Sequence, residues 1–222
     1  MTNEISRKFV SLTYYPEKEI LDYLAAKIYR FFTADALTII GFLGTVLAGL
    51  SFIFADRNIN FLLIAPIGIV INWFGDSLDG RVARLRQQYR PKMGYYIDKF
   101  FDLLSYISIF LCLEFSPLTF MHFWLYNLIL VLFFLAHVFL KGGVTKTIEL
   151  SVGIFGPTEL RIIFIFLIIL LYLFKNPLFF NKTQGFYTLL DLTGAIFCLF
   201  VAIILAISIY STFWGKDKIV EE

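Results

Sequence analysis

An all-α integral membrane protein, with six transmembrane helices preceded by an amphipathic interfacial helix, is the fold class that this sequence predicts. Three observations predict it. Apolar residues make up 59% of the 222 positions and charged ones only 16%, where a soluble domain carries roughly 25% charge. The mean hydropathy is +0.79. Apolar stretches close to the ~20 residues that a bilayer-crossing helix needs recur along the chain. The same figures exclude a large soluble catalytic domain, a disordered chain and a disulfide-stapled module. They also exclude a conventional nucleic-acid-binding protein, because the formal net charge is only +2.

The first element is the leader, Glu17 to Phe32, with Ile20, Leu21, Leu24, Ile28 and Phe31 at helical spacing and Lys18, Asp22, Lys27 and Arg30 elsewhere on the wheel. That pattern predicts an interfacial helix, or alternatively a cap packed on the end of the bundle. Met1 to Tyr15 lacks the apolar core and small-residue cleavage site of a removable signal peptide. Six spans follow: Ala36 to Ala55, Asn60 to about Trp73, Tyr95 to Glu114, Phe120 to Leu140, Glu159 to Phe174 and Phe186 to Trp214. In the first, Gly41, Thr45 and Gly49 form a small-residue face that lets another helix approach closely. Cys112 and Cys198 lie inside apolar runs and read as inert packing.

Orientation follows from the basic residues. Of 19 Lys and Arg, all but Arg57, Lys175, Lys182 and the intrahelical Lys99 fall on the side of the amino terminus when connections alternate. The excess includes Arg7, Lys8, Arg81, Arg84, Arg86, Arg90, Lys92, Lys141, Lys146, Arg161, Lys216 and Lys218. Both termini are therefore expected in the cytoplasm, in a cell inner or plasma membrane. No fixed-period repeat or Pro/Ser-rich linker divides the chain, so residues 1–222 read as one domain.

Four carboxylates break the apolar pattern. Asp76, Asp79, Asp98 and Asp102 occupy the cytoplasmic ends of the second and third spans. At ~2.5 to 3.5 kcal/mol for each ionised side chain at a helix centre, four facing hydrocarbon would cost roughly 10 to 14 kcal/mol. They must face inward and be compensated. Asp76 and Asp79 are i and i+3, and Asp98 and Asp102 are i and i+4, so each pair shares a helix face. With a short basic connection folding the two helices antiparallel, the pairs converge, and two divalent cations would balance their charge. All-oxygen ligation favours Mg²⁺, Mn²⁺ or Ca²⁺ over zinc, for which the chain offers only the distant His122 and His137. Gly80, Ala83 and Gly94 leave space beside the carboxylates for a bulky ligand, and Arg84 is placed to meet phosphate. Asn72, one turn before Asp76, lines the pocket or bonds between helices. Gly156 to Arg161 opens the fifth span, where Lys141, Lys146 and Arg161 form an anion pocket or merely the basic loops of the topology.

Written out, Asp76-Ser-Leu-Asp79-Gly80-Arg-Val-Ala83-Arg84, nine residues, then Gly94-Tyr-Tyr-Ile-Asp98-Lys-Phe-Phe-Asp102 resembles the signature of the CDP-alcohol phosphotransferase family. All eight fixed positions of that signature match, over 27 residues. Thr38 and Gly41 opening the first span are looser support. The resemblance implies a six-helix, usually dimeric membrane enzyme that moves a phosphoalcohol from a CDP-linked donor to an acceptor hydroxyl and releases CMP. By position, Asp76, Asp79, Asp98 and Asp102 resemble the metal ligands and Asp102 the general base. Asp76, Gly80, Ala83, Arg84 and Gly94 resemble the positions that accommodate cytidine diphosphate. CDP-diacylglycerol is the expected donor, with CDP-choline or CDP-ethanolamine the alternative; the acceptor stays open. An ion or proton transporter and an intramembrane prenyltransferase are the rival classes. Against them stand carboxylates gathered at one membrane edge, no inverted repeat, and two motifs separated by one short connection.

Overall fold

The computed structural model describes residues 14–145, 157–175, 178–181 and 185–214. Arg7, Lys8, Lys146, Gly156, Lys182, Lys216 and Lys218 lie outside the described residues. Helices account for most of what is described: α1 (Tyr14–Ile28), α2 (Ala34–Phe54), a 3-10 turn (Ile59–Leu63), α3 (Ile64–Leu85), α4 (Pro91–Glu114), α5 (Phe123–Thr145), α6 (Pro157–Leu173) and α7 (Leu189–Trp214). An antiparallel hairpin of β1 (Leu178–Asn181) and β2 (Gly185–Thr188) precedes α7. The fold is otherwise helical, as expected, and β2 takes the first residues assigned by hydropathy to the sixth span.

Four helical segments are long and apolar enough to cross a membrane: Ala34–Phe54, Ile59–Leu85, Phe123–Val144 and Leu189–Trp214. The protein is thus an integral membrane protein. The other two expected spans fall short of that test for different reasons. In α4 the apolar run is interrupted by Asp98, Lys99 and Asp102, and α6 has 17 residues.

α2 is the spine of the site end. It packs on α3 along most of its length and on α4 with another face, while α3 and α4 make little direct contact. The two carboxylate helices are therefore held chiefly through α2, which packs on both. Glycine makes the α2–α3 approach possible. A Cβ added at Gly44 would stand 2.7 Å from the Gly68 carbonyl oxygen, and one at Gly68 would stand 2.7 Å from the Ala48 nitrogen. Gly41 and Gly75 meet at the same seam. Of the small-residue face read from sequence, Gly41 serves α3, but Gly49 faces α4, where an added Cβ would stand 2.8 Å from Cys112 Sγ.

The leader caps this end. Leu21 and Ala25 of α1 are buried against Leu37, Leu78 and Val82, whereas Ile20, Tyr23 and Phe31 stay exposed. Part of its stripe is thus spent on α2 and α3, as in the cap alternative, while Ile20 and Phe31 of the same stripe face outward, as in the interfacial one. Glu17 ties three helices, accepting from Trp73 Nε1 at 2.8 Å and from Thr158 Oγ1 at 2.9 Å. Arg86 donates to the Tyr29 and Phe32 carbonyls, so the α1–α2 turn and the end of α3 are one unit.

The main apolar core fills the other half, around Phe52, Leu62, Leu113, Trp124 and Ile168. At that end Asp191 is fully buried and accepts from the backbone nitrogens of Phe120, Met121 and Thr188 and from Thr188 Oγ1. Glu114 caps α5 through Leu125 N at 3.0 Å and pairs with His122. His137 Nε2 meets Thr212 Oγ1 at 3.4 Å. Each histidine thus has a local polar partner, His122 exposed and His137 half-buried, and both cysteines are free thiols.

Candidate metal centre and active site

The connection between the two carboxylate helices is short because α3 stops sharply. Gln87 takes a left-handed conformation, φ 57°, its N–H bonds the Arg84 carbonyl, and Gln88 N–H bonds that of Ala83 at 2.9 Å. These are the paired bonds of a Schellman stop. Pro91, whose ring presets φ and whose missing N–H is no loss in a first turn, starts α4. Arg90 then clamps the turn to the start of α2, reaching both oxygens of Asp35 at 2.7 and 2.8 Å.

Across this framework Asp76 of α3 and Asp98 and Asp102 of α4 converge: each offers an oxygen within 4.8 Å of the others. Thr38, Gly41 and Phe42 of α2 form the floor of a cavity of about 10 Å³ beside them, room for about one water-sized sphere. Asn72 also lines it and donates to the Gly41 carbonyl at 3.3 Å, so both roles weighed for that residue are met. Asp79 stands outside the cluster of three. Thr38 Oγ1 donates to its Oδ2 at 2.7 Å, and Gly80 N–H to its Oδ1. The hydroxyl on α2 turns that carboxylate toward α2.

Two cations reach the cluster. Lys99 Nζ lies 2.9 Å from Asp98 Oδ2 and 2.6 Å from Asp102 Oδ2. The Arg161 guanidinium of α6 lies 2.6 Å from Asp76 Oδ2. Sequence reading set Lys99 aside as intrahelical; the signal was its spacing, next to one carboxylate and three residues before another. For Arg161 the sequence offers an anion pocket with Lys141 and Lys146 or a basic loop, and nothing local points it at Asp76.

The remaining positions divide by exposure. A Cβ at Gly80 or Gly94 would meet nothing within 4 Å among the described residues, so both glycines border space that those residues leave open. Ala83 is buried at 9% exposure. Arg84 is exposed and has no hydrogen-bond or ion-pair partner among the described residues.

The donor set fits a hard divalent cation. Oxygens on opposite sides of one ion stand ~4.2 Å apart for Mg²⁺ and ~4.8 Å for Ca²⁺, from bond lengths of ~2.1 and ~2.4 Å. The oxygens of the three carboxylates lie within 4.8 Å of one another, close enough to share one such ion, and among the described residues no nitrogen or sulfur ligand joins the group.

Two carboxylate motifs on consecutive helices, open glycines beside them and an apolar bundle around them are matched by a family model described as CDP-alcohol phosphatidyltransferase, over residues 31–214. The chain belongs to that family. Membership makes it a transferase-family protein whose relatives move a phosphoalcohol from a CDP-alcohol to a hydroxyl acceptor, in a family that uses divalent cations. No curated protein matches the chain.

Proposed function

We propose that this protein transfers a phosphatidyl group from CDP-diacylglycerol to an acceptor hydroxyl and releases CMP, as a step in phospholipid synthesis. The observation that carries the reading is the convergence of Asp76, Asp98 and Asp102 from two helices at one end of an apolar bundle. Such a site suits a donor whose nucleotide head comes from water and whose acyl chains remain between helices.

Asp76, Asp98 and Asp102, with Asp79 beside them, hold two divalent cations, Mg²⁺ or Mn²⁺, with Ca²⁺ as a further fit. When bound, such ions reduce charge repulsion across the pyrophosphate and stabilise the departing CMP. The protein's own groups do the rest. Gly80 and Gly94 leave the diphosphate room to approach the helices, and exposed Arg84 offers a guanidinium to its oxygens. Asp76 belongs to both the metal and the nucleotide positions, and Ala83 keeps the α3 face small. Asp102 takes the proton of the acceptor hydroxyl, directly or through one water, as the new oxygen–phosphorus bond forms and the bond to CMP breaks. In phosphoryl chemistry of this kind positioning and electrostatics supply most of the acceleration.

α4 and α6 complete six spans in this reading, with the charges of α4 facing the cavity rather than lipid. Both termini and the site face the cytoplasm, and the protein works as a homodimer. The test supplies purified protein and Mg²⁺ or Mn²⁺ with CDP-diacylglycerol or CDP-choline and a panel of hydroxyl acceptors, and monitors CMP. Release with CDP-diacylglycerol and one acceptor is expected. Release with CDP-choline alone transfers the assignment to aminoalcohol chemistry, and cation flux without CMP makes the protein a transporter.

A further inference from the structure

The cation complement of the site is unusual for a centre meant to gather metal ions. Lys99 is held between two of the three clustered carboxylates, and its side chain is only 14% exposed. Arg161 covers the third, at 21% exposure. Three carboxylates and two basic side chains leave one net negative charge in the cluster, or two when Asp79 is included. One divalent ion brings that total to neutrality. A second would leave an excess of positive charge in a partly buried site, where like charges repel more strongly than in water. A diphosphate arriving with the donor brings the missing negative charge.

We propose that Lys99 holds one of the two cation places while no donor is bound, so that the free protein takes one divalent ion and the second enters only with the diphosphate. The inference rests on the metal-dependent reading above and adds an order of assembly to it. Lys99 is a positioning residue here: it keeps Asp98 and Asp102 together without metal and yields when nucleotide arrives. It also keeps Asp102 bonded until then, so the base is released only in a donor-loaded site.

Counting Mn²⁺ tests this. The full chain in nanodiscs is titrated with Mn²⁺, and free ion is read by electron paramagnetic resonance, with and without CDP; binding by CDP in protein-free samples is subtracted. The expected stoichiometry is one Mn²⁺ without CDP and two with it. Lys99→Gln, which removes the charge but keeps a hydrogen-bond donor, should bind two without CDP, its second site tightened at least tenfold. Lys99→Arg should restore one. Two ions in the unaltered protein without CDP would overturn the proposal, as would one ion in both Lys99→Gln and a second variant, Lys99→Met. Absence of Mn²⁺ from every protein, CDP present or not, would remove the metal reading itself and this inference with it.

Discussion

The two ends of α4 lie beside carboxylates that are treated in opposite ways. Asp102 and Glu114 are twelve residues apart, roughly 18 Å along the helix. At the Glu114 end, Asp191 is surrounded by donors fixed in backbone and in a short threonine side chain. At the other end Asp76, Asp98 and Asp102 face one another and are only partly neutralised, by the tips of a lysine and an arginine. In the proposed reading, the difference separates a carboxylate that builds the fold from one held for a ligand. Backbone donors do not move, so Asp191 is committed, whereas long side chains give way by rotating. The glycines repeat the contrast: Gly44 and Gly68 are closed off by a neighbouring backbone, while a Cβ at Gly80 or Gly94 would meet none of the described residues within 4 Å.

Substitutions can break each side of this comparison separately. The largest effect is expected from Asp102→Asn, which should lower CMP release by ~10²- to 10⁴-fold, the usual worth of a general base, while CDP binding is largely kept; unchanged turnover would remove the base assignment. Asp191→Ala should do the reverse. It strips the acceptor from buried backbone donors at ~1–3 kcal/mol for each one left unpaired, so unfolding in detergent should move to markedly lower temperature, with turnover per folded molecule retained. Gly68→Ala, at a backbone-to-backbone contact, should cost ~1–3 kcal/mol as overpacking, read in the same melt.

The smaller effects sharpen the contrast. Gly80→Ala and Gly94→Ala should stabilise the helices by up to ~1 kcal/mol, since the added methyl meets open space, yet raise the KM for the CDP donor. A melt that falls on either substitution would show that these glycines pack after all. Gln87→Gly should gain roughly 0.5–1 kcal/mol by relieving the left-handed strain without changing turnover; a loss would show that the Gln87 side chain matters more than its backbone.

Much of the helical layout was legible because hydropathy and helical spacing are local. α2, α5 and α7 fall close to the predicted spans, and the eight motif positions sit on α3 and α4 as expected. Boundaries erred where local pattern and tertiary packing compete. Pro91 to Gly94 is polar enough to read as loop, yet proline starts α4 there. Phe186 to Thr188 is apolar enough to read as membrane helix, yet pairs with β1 in a hairpin. The leader's stripe was plain, but whether it meets lipid or protein depends on what α2 and α3 present to it.

Sequence alone determined that this is a helical membrane protein with acidic pairs on two consecutive helices, because the cost of charge in apolar surroundings and the 3.6-residue period need no distant partner. Only the tertiary structure decided which acids meet, which cations answer them and which glycines are for packing. Thr38 reaches Asp79 across 41 positions and Arg161 reaches Asp76 across 85. Such pairings depend on how α2 and α6 stand against α3, and that is settled by the packing of whole helices rather than by any short stretch of residues.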